Sequence, residues 1–328
     1  MSDDSPVKWI EISDPQALPR HPMVSVHMIT YNHEPYIAEA IEGVLGQKTD
    51  FPIELIIGED CSTDNTRAIV LEYQRQYPQL IRVLVPSRNV GMQVNGRRVL
   101  DACRGAFVAF CEGDDYWIDP KKLEKQVAFM ERNPNLSMTF HAARIVYADG
   151  SGRSQTHRYR GRSKVSPKEV VLGGGSFYPT CSAMFRRAVF DDYPVFLRTA
   201  PVGDAMMALN AIMKGDVGYI DEIMAVYNSA VRGSWSERRA KAGLSEDLDF
   251  VARLRDIYTQ FDKQTAYKFT SSVRQVNSGI ILGFFVKALK MGQPCSRYDA
   301  LRGQMIVRHK VRFHLRKLYY WLLRDFCE

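Results

Sequence analysis

The sequence predicts an α/β protein, a mostly parallel sheet with helices on both faces followed by a C-terminal helical extension. Three observations carry that prediction. Apolar, β-prone runs recur at Val24–Thr30, Glu54–Asp60, Leu80–Val85 and Phe107–Phe110, and apolar residues at helical spacing fill the stretches between them. Strands joined by helical crossovers pair in parallel and place helices against the sheet. After Ser236 the pattern is helical, which sets a boundary near residue 237. The expected organisation is an N-terminal extension at 1–21, an α/β domain at 22–236 and a helical region at 237–328.

The first run changes character at Tyr31-Asn-His-Glu-Pro35, and Ile37, Ile41, Val44 and Leu45 then recur as a helix face. Thr30 to Glu34 therefore form a strand-to-helix turn, where side chains and free amides meet ligands. The second run ends in Glu59-Asp60 and is followed by Cys61-Ser-Thr-Asp-Asn-Thr66, a dense set of capping residues that accounts for Ser62 to Asn65. Asp60 precedes the cap, at a strand's carboxyl end, where it can accept from a base N–H or from ribose hydroxyls. After the third run, Val99, Leu100 and Cys103 resume helical spacing and Gly105 suits a helix C-cap.

The fourth run leads into Phe107-Val-Ala-Phe-Cys-Glu-Gly-Asp-Asp-Tyr-Trp117, where Glu112, Asp114 and Asp115 crowd one strand end. Carboxylates so close repel unless a cation sits among them, and their hard oxygens suit Mg²⁺ or Mn²⁺. Helix capping explains Asp119, ahead of Pro120, and extends to Asp115, but it leaves Glu112 and Asp114 without a structural reason.

Beyond that point short strands are expected at 137–141, 144–147, 217–220 and 224–227. Between Ser151 and Lys168 there are basic residues and no acid, which reads as a solvated mobile loop, or as a lid facing an anionic acceptor. Asp204 lies in the first turn of a helix, where the helix dipole alone would favour it. Val307, Val311, Leu315, Leu318 and Leu322 share a helical face flanked by arginines and lysines, the pattern of a membrane-surface helix or of one docked on the core.

Composition narrows the classes. The chain has 328 residues, 45% hydrophobic and 25% charged, with a net charge of +7 that suits an anionic partner. Its six cysteines show no metal-binding or disulfide spacing, as in a reducing, cytoplasmic setting. The N-terminus has no apolar signal core, and Gly279–Val286 falls far short of the roughly 20 residues a membrane span needs.

Thr30-Tyr-Asn32, Glu59-Asp-Cys-Ser-Thr-Asp64 and Glu112-Gly-Asp-Asp-Tyr-Trp117, with Gly203-Asp204 and Gly218-Tyr-Ile-Asp-Glu222 to Tyr227, together resemble the family 2 glycosyltransferases over about 22–236. The relatives meant are bacterial enzymes of capsule, exopolysaccharide or lipopolysaccharide synthesis. The resemblance implies a GT-A fold, a nucleotide-diphosphate-sugar donor (most often UDP), a divalent cation (Mn²⁺ or Mg²⁺) and inversion at the anomeric carbon. By position, Thr30, Tyr31, Asn32, Glu34 and Asp60 would hold the nucleoside. Glu112-Gly113-Asp114 stands where the family has DxD, which makes Asp114 the metal ligand, with Glu112 beside it near the ribose and metal. Asp204 would be the catalytic base. The chain departs from the family in two places: Ala230 or Val231 stands where a histidine often follows Tyr227, and Gly203 replaces the acid before Asp204.

The implied partners are a nucleotide-sugar donor, a glycan or lipid-linked acceptor, and the anionic inner leaflet of the cytoplasmic membrane. A nucleotidyltransferase of sugar phosphates would need a Gly-rich phosphate loop, and Tyr31-Asn-His-Glu-Pro35 has no glycine. A nucleic-acid-binding protein would show a recognition motif or aromatics interleaved with the basic loop, and neither is present, so no nucleic acid is expected.

Overall fold

In the computed structural model, residues 7–147, 153–229, 231 and 234–292 are described, together with 301, 303–306, 309–310 and 312–314. Along the chain run β1 (Trp9–Ile12), β2 (Val24–Thr30), α1 (Ile37–Leu45), β3 (Ile53–Glu59), α2 (Thr66–Gln76), β4 (Ile81–Pro86), α3 (Met92–Ala102), β5 (Phe107–Phe110) and β6 (Tyr116–Trp117). They are followed by α4 (Lys122–Arg132), β7 (Leu136–Tyr147), β8 (Arg153–Gln155), β9 (Lys164–Val165), α5 (Pro167–Gly173), β10 (Met184–Arg186), α6 (Val195–Arg198), α7 (Asp204–Lys214) and β11 (Asp216–Ser229). The helices α8 (Trp235–Lys241), α9 (Leu244–Gln264) and α10 (Thr270–Lys290) complete the described elements. By internal contacts the chain divides into two units. One comprises Met1–Ser166, Tyr178–Tyr193 and Asn210–Glu237; the other comprises Pro167–Phe177, Pro194–Leu209 and Arg238–Glu328.

The first unit holds an 11-stranded sheet in the order β1-β4-β3-β2-β5-β10-β7-β11-β6, with β8 on β7 and β9 on β11. The β4-β3-β2-β5 block is parallel, as its helical crossovers predict. The sheet as a whole is mixed, because β1 and β10 pair antiparallel with β4 and β5. Alternation along β2 shows how both faces are covered. Val24, Val26 and Met28 enter the core that α1 shares through Ile37, Ile41 and Val44. On the opposite face, the buried His27 meets the Gly96 carbonyl of α3 at 2.9 Å.

Several expectations are revised by pairing. The short strands expected at 137–141 and 144–147 are one strand, β7, and those at 217–220 and 224–227 are one bulged strand, β11. The two pair in parallel along most of their lengths, and a bulge can shift register without ending a strand. Part of the N-terminal extension is an edge strand, β1, on β4, and its Trp9 stacks 3.8 Å from the Arg98 guanidinium. Gly105 is no helix cap, since α3 ends at Ala102. A Cβ there would meet the Ser25 amide nitrogen at 2.5 Å, so the glycine permits a close backbone approach. Within the loop expected at 151–168, residues 155, 158 and 160–164 are exposed as expected, but Tyr159 is buried against Phe140 and Tyr219, and His157 Nδ1 lies 2.7 Å from Asp221, so the segment is anchored at those points.

At the entry side of the parallel block a buried charge hub ties the strands together. Glu54, fully enclosed, accepts from Ser25 Oγ, Arg82 and the Arg104 guanidinium at 2.6–3.1 Å. Arg82 continues the chain to Glu11 of β1. Burial alone would raise the Glu54 pKa, but the Arg104, Ser25 and Arg82 contacts outweigh it and hold the carboxyl below its usual range.

In the second unit, Val251 of α9 packs with Ile281, Phe284 and Phe285 of α10 and with Met305 and Phe313. Buried Asp247 pairs with Lys287 at 2.6 Å and with Arg239. No helix among the described residues is long and apolar enough to cross a membrane. The predicted basic helix at 307–322 lies outside the described residues apart from 309–310 and 312–314.

Replacing Glu54 with alanine takes the shared acceptor from Ser25, from the exposed Arg104 and from one nitrogen of the buried Arg82, which keeps Glu11, and should cost about 2 kcal/mol, read as a lower denaturation midpoint. Because the folded-state pKa is depressed, the stabilisation is present above the ordinary value of 4.5 and lost as pH falls. The gap between wild type and variant is therefore expected at pH 7 and should narrow in acid.

Candidate active site

Three strand ends of the parallel block, those of β2, β3 and β5, carry the acidic and polar side chains singled out by sequence. At the end of β2, Thr30 is buried and Asn32 takes a left-handed φ of 56°, a conformation asparagine tolerates better than most residues. Asn32 Oδ1 accepts the Thr63 amide at 2.8 Å, and its own amide donates to Ser62 Oγ at 3.0 Å. Glu34 accepts from the Asn65 amide at 3.1 Å and donates its backbone N–H to Asp64 at the same distance. The turns after β2 and β3 are thus laced into one body. Ser62 to Asn65 do more than cap α2: of the set, only Asp64 reaches the α2 start, taking the Thr66 amide at 3.0 Å. Tyr31, in the same turn, is half-buried.

At the end of β3, Asp60 is buried, and its two oxygens accept the amides of Val90 and Gly91 at 2.9 and 2.8 Å. Burial raises its pKa, and those amides pull against the rise. Glu59 was seen in the sequence only as one of a pair of terminal acids. Fully buried, it takes the Ser62 amide and pairs with Arg67, both at 2.6 Å.

Beyond β5, Glu112, Asp114 and Asp115 each bring one oxygen within 4.8 Å of the others, the spacing of a shared cation. Gly113 sets this geometry. A Cβ at that position would lie 2.7 Å from Thr30 Oγ1 and 3.0 Å from His33 Nδ1, so only glycine lets the acidic loop rest on the β2 turn. Both of those atoms are buried without a hydrogen-bond partner among the described residues. Buried polar atoms left unpaired mark a place where water or a ligand completes the site. His33 Nε2 also approaches Asp114 at 3.9 Å.

Asp115 is no helix cap, since α4 begins at Lys122. It is 1% exposed; one oxygen accepts the Asn228 amide at 2.8 Å and the other makes no hydrogen bond among the described residues. Burial pushes its carboxyl well above the usual range, and Asp114 and Glu112 push it further. A divalent cation would oppose both effects, and the oxygen donors match the preference of Mg²⁺ or Mn²⁺, so the residues present fit such an ion. Asp119, by contrast, is a turn residue: it takes the Lys121 amide and pairs with Lys125 at 2.7 Å, while α4 begins at Lys122.

The first unit therefore brings Thr30, Asn32, Glu34, Asp60, Glu112, Gly113 and Asp114 to neighbouring strand ends. Asp204 belongs to the second unit. It opens α7 and accepts the Ala205 amide at 2.7 Å. A Cβ on Gly175 would meet its Oδ1 at 4.0 Å, and a Cβ on Gly174 would meet the buried Tyr258 hydroxyl at 3.5 Å. Asp204 keeps some surface in contact with solvent, but the protein crowded around it pushes its pKa up to about 6. That value suits a carboxylate that takes a proton near neutral pH.

The family profile "Glycosyl transferase family 2" matches residues 25–194. An uncharacterised protein of Mycobacterium tuberculosis is 38% identical over 213 residues, 65% of this chain and 60% of the relative, so the chain spans under two thirds of that relative's length. The putative teichuronic acid biosynthesis glycosyltransferase TuaG of Bacillus subtilis is 40% identical over 131 residues, 40% of this chain and 50% of TuaG. Among solved structures, S. aureus TarS 1-349 in complex with UDP-GlcNAc superposes with a TM-score of 0.58 at 17% identity, covering 91% of this chain and 89% of TarS. The mannosyltransferase PcManGT of Pyrobaculum calidifontis, in complex with GDP-Man and Mn²⁺, gives 0.54 at 16% identity, covering 97% and 90%. At such identities the likeness is one of fold.

The Asp204 environment has a measurable signature. A folded-state pKa raised to about 6 from 3.8 means that ionising Asp204 costs stability, which is full below 3.8 and falls as pH rises through 6. Asp204→Asn removes that cost and should melt higher than wild type at pH 7.5. After allowance for the exposed surface the gain is about 1–2 kcal/mol. At pH 3.5 the two proteins should melt together in thermal denaturation.

Proposed function

The chain belongs to glycosyl transferase family 2 and has the GT-A fold, and from that premise we propose that it is an inverting glycosyltransferase. It takes a sugar from a nucleotide-diphosphate donor, a UDP-sugar, and passes it to a hydroxyl of a glycan or lipid-linked acceptor in surface polysaccharide synthesis. The observation that carries this reading is the trio Glu112, Asp114 and Asp115, gathered within 4.8 Å on a loop that Gly113 seats against Thr30. Three carboxylates at one strand end suit a cation-bound diphosphate far better than any structural task. The named relatives point the same way. TuaG's description is of teichuronic acid synthesis, and a second relative, the E. coli glucosyltransferase WfgD, is described as using UDP-Glc on a diphosphoundecaprenol-linked acceptor.

Asp114 and Glu112 would hold a Mn²⁺ or Mg²⁺ ion, with Asp115 behind them. The bound cation would neutralise charge on the leaving diphosphate as a Lewis acid. The unpaired Thr30 Oγ1 and His33 Nδ1 offer polar contacts next to that position. Tyr31, Asn32, Glu34 and Asp60 line the two turns where the nucleoside is expected, and Asp60 retains lone pairs for a base N–H beyond the two amides it already accepts. Asp204 would take the acceptor hydroxyl's proton as that oxygen attacks the anomeric carbon. A single base with direct displacement inverts; a retaining route would call for a carboxylate nucleophile.

Asp204→Asn is expected to lower transfer by at least about a hundredfold while donor binding survives. Asp114→Ala should lose the Mn²⁺-dependent part of UDP binding as well. The check is calorimetry with UDP and Mn²⁺ beside a transfer assay, and normal turnover by Asp204→Asn would sink the base assignment. In the wild type, kcat/KM should fall as pH drops below about 6, where Asp204 takes up a proton.

The basic stretch at 307–322 would set the enzyme on the cytoplasmic leaflet, near a lipid-linked acceptor. Flotation with anionic liposomes should carry the full chain upward and leave a chain lacking 300–328 behind; equal partitioning would remove that role.

A further inference from the structure

The end of β11 meets the acidic loop in a way that no family motif assigns. β11 pairs antiparallel with β6 through Ala225 with Trp117 and Val226 with Tyr116. Continuing that register two residues places Asn228 opposite Asp114. There the ladder stops, because the chain before Tyr116 turns away into the carboxylate loop. Asn228 bridges the gap with two donors. Its backbone N–H reaches Asp115 Oδ1 at 2.8 Å, and its side-chain Nδ2 reaches the Asp114 backbone oxygen at 2.6 Å. The side-chain amide thus replaces the strand bond that the loop has given up.

We propose that Asn228 is a positioning residue for the cation site: it clamps the loop so that Asp114 and Asp115 present their oxygens together. The inference rests on the reading of that trio as a cation site. Electrostatics explain why a clamp is required. Three carboxylates within 4.8 Å repel one another, and the loop would relieve the repulsion by opening. Among the described residues no lysine or arginine pairs with Asp114 or Asp115, and the His33 ring stands 3.9 Å from Asp114. A neutral amide donor holds the loop without supplying a fixed positive charge that would compete with the metal. Asn228 also sits just after Tyr227 and before the position where the family often places a metal-binding histidine and this chain has Ala230 or Val231. On this view the chain forgoes a ligand from that segment and uses the segment to orient the ligands it has.

The variant Asn228→Ala keeps the backbone donor and loses Nδ2; Asn228→Asp keeps the shape and replaces the donor with an acceptor. Mn²⁺ binding is followed by electron paramagnetic resonance of the free ion, with and without UDP, on full-length protein whose melting temperature is recorded in parallel. Both variants should bind Mn²⁺ at least about tenfold more weakly than wild type, as outer-shell partners of metal ligands typically do. UDP binding without metal should be unchanged, and the Mn²⁺ concentration for half-maximal transfer should rise more than kcat at saturating Mn²⁺ falls. Wild-type affinity for Mn²⁺ in either folded variant would overturn the inference while leaving the cation site standing. Should neither variant fold, a loop amide exchange rate in wild type that fails to slow on adding Mn²⁺ would overturn it equally. No Mn²⁺ binding by wild type, with or without UDP, would overturn the site and the clamp together.

Discussion

The structure depends most on the contact between Gly113 and the β2 turn. A carboxylate-bearing loop can gather Glu112, Asp114 and Asp115 only if its backbone comes down onto Thr30 and His33, and the clearance there leaves no room for a side chain. Repulsion works against the arrangement, and so does burial, which makes the Asp115 charge costly. The loop is held nonetheless, by van der Waals contact on one side and by amide donors from β11 on the other. A group of like charges maintained by packing is a recurring sign of chemistry, because stability alone would disperse it.

The two ends of the parallel block are built on opposite plans. At the entry end, Glu54 is surrounded by Ser25, Arg82 and Arg104, and every oxygen is matched to donors. At the exit end, Thr30 Oγ1, His33 Nδ1 and one oxygen of Asp115 are buried with no partner among the described residues. The first arrangement satisfies charge and fixes strand positions; the second leaves capacity for a ligand. Open α/β sheets place ligands outside the carboxyl ends of their strands, and here the division can be read atom by atom.

Much of this was legible in the sequence. Apolar runs ending in Thr30, in Glu59-Asp60 and before Glu112 located the strand ends, since a buried strand must finish where its side chains turn polar. Helix faces such as Ile37, Ile41 and Val44 were read from spacing alone. Long-range pairing was not legible. Ser62 to Asn65 resemble a capping box locally, and nothing nearby announces that Ser62 answers Asn32 or that Asn65 answers Glu34 across some thirty residues. Local pattern leaves Asp115 open between a cation-binding trio and a helix cap, because its backbone partner, Asn228, lies more than a hundred positions away. The extension around Trp9 offered four exposed or half-exposed residues with no alternation to mark a strand, and only the free edge of β4 makes it one. Sequence patterns record each residue's burial and local geometry; they do not record which distant backbone supplies its partner.

The tether on Asp60 has a mechanical consequence. With both oxygens committed to the amides of Val90 and Gly91, the carboxylate and the 87–91 turn form a single rigid fixture. Any molecule that draws on a remaining lone pair of Asp60 meets a group whose rotamer is already chosen, so little side-chain freedom is surrendered on arrival. The same fixture limits tolerance: a visitor of slightly different outline cannot be accommodated by swinging the acid aside, because the turn would have to move with it.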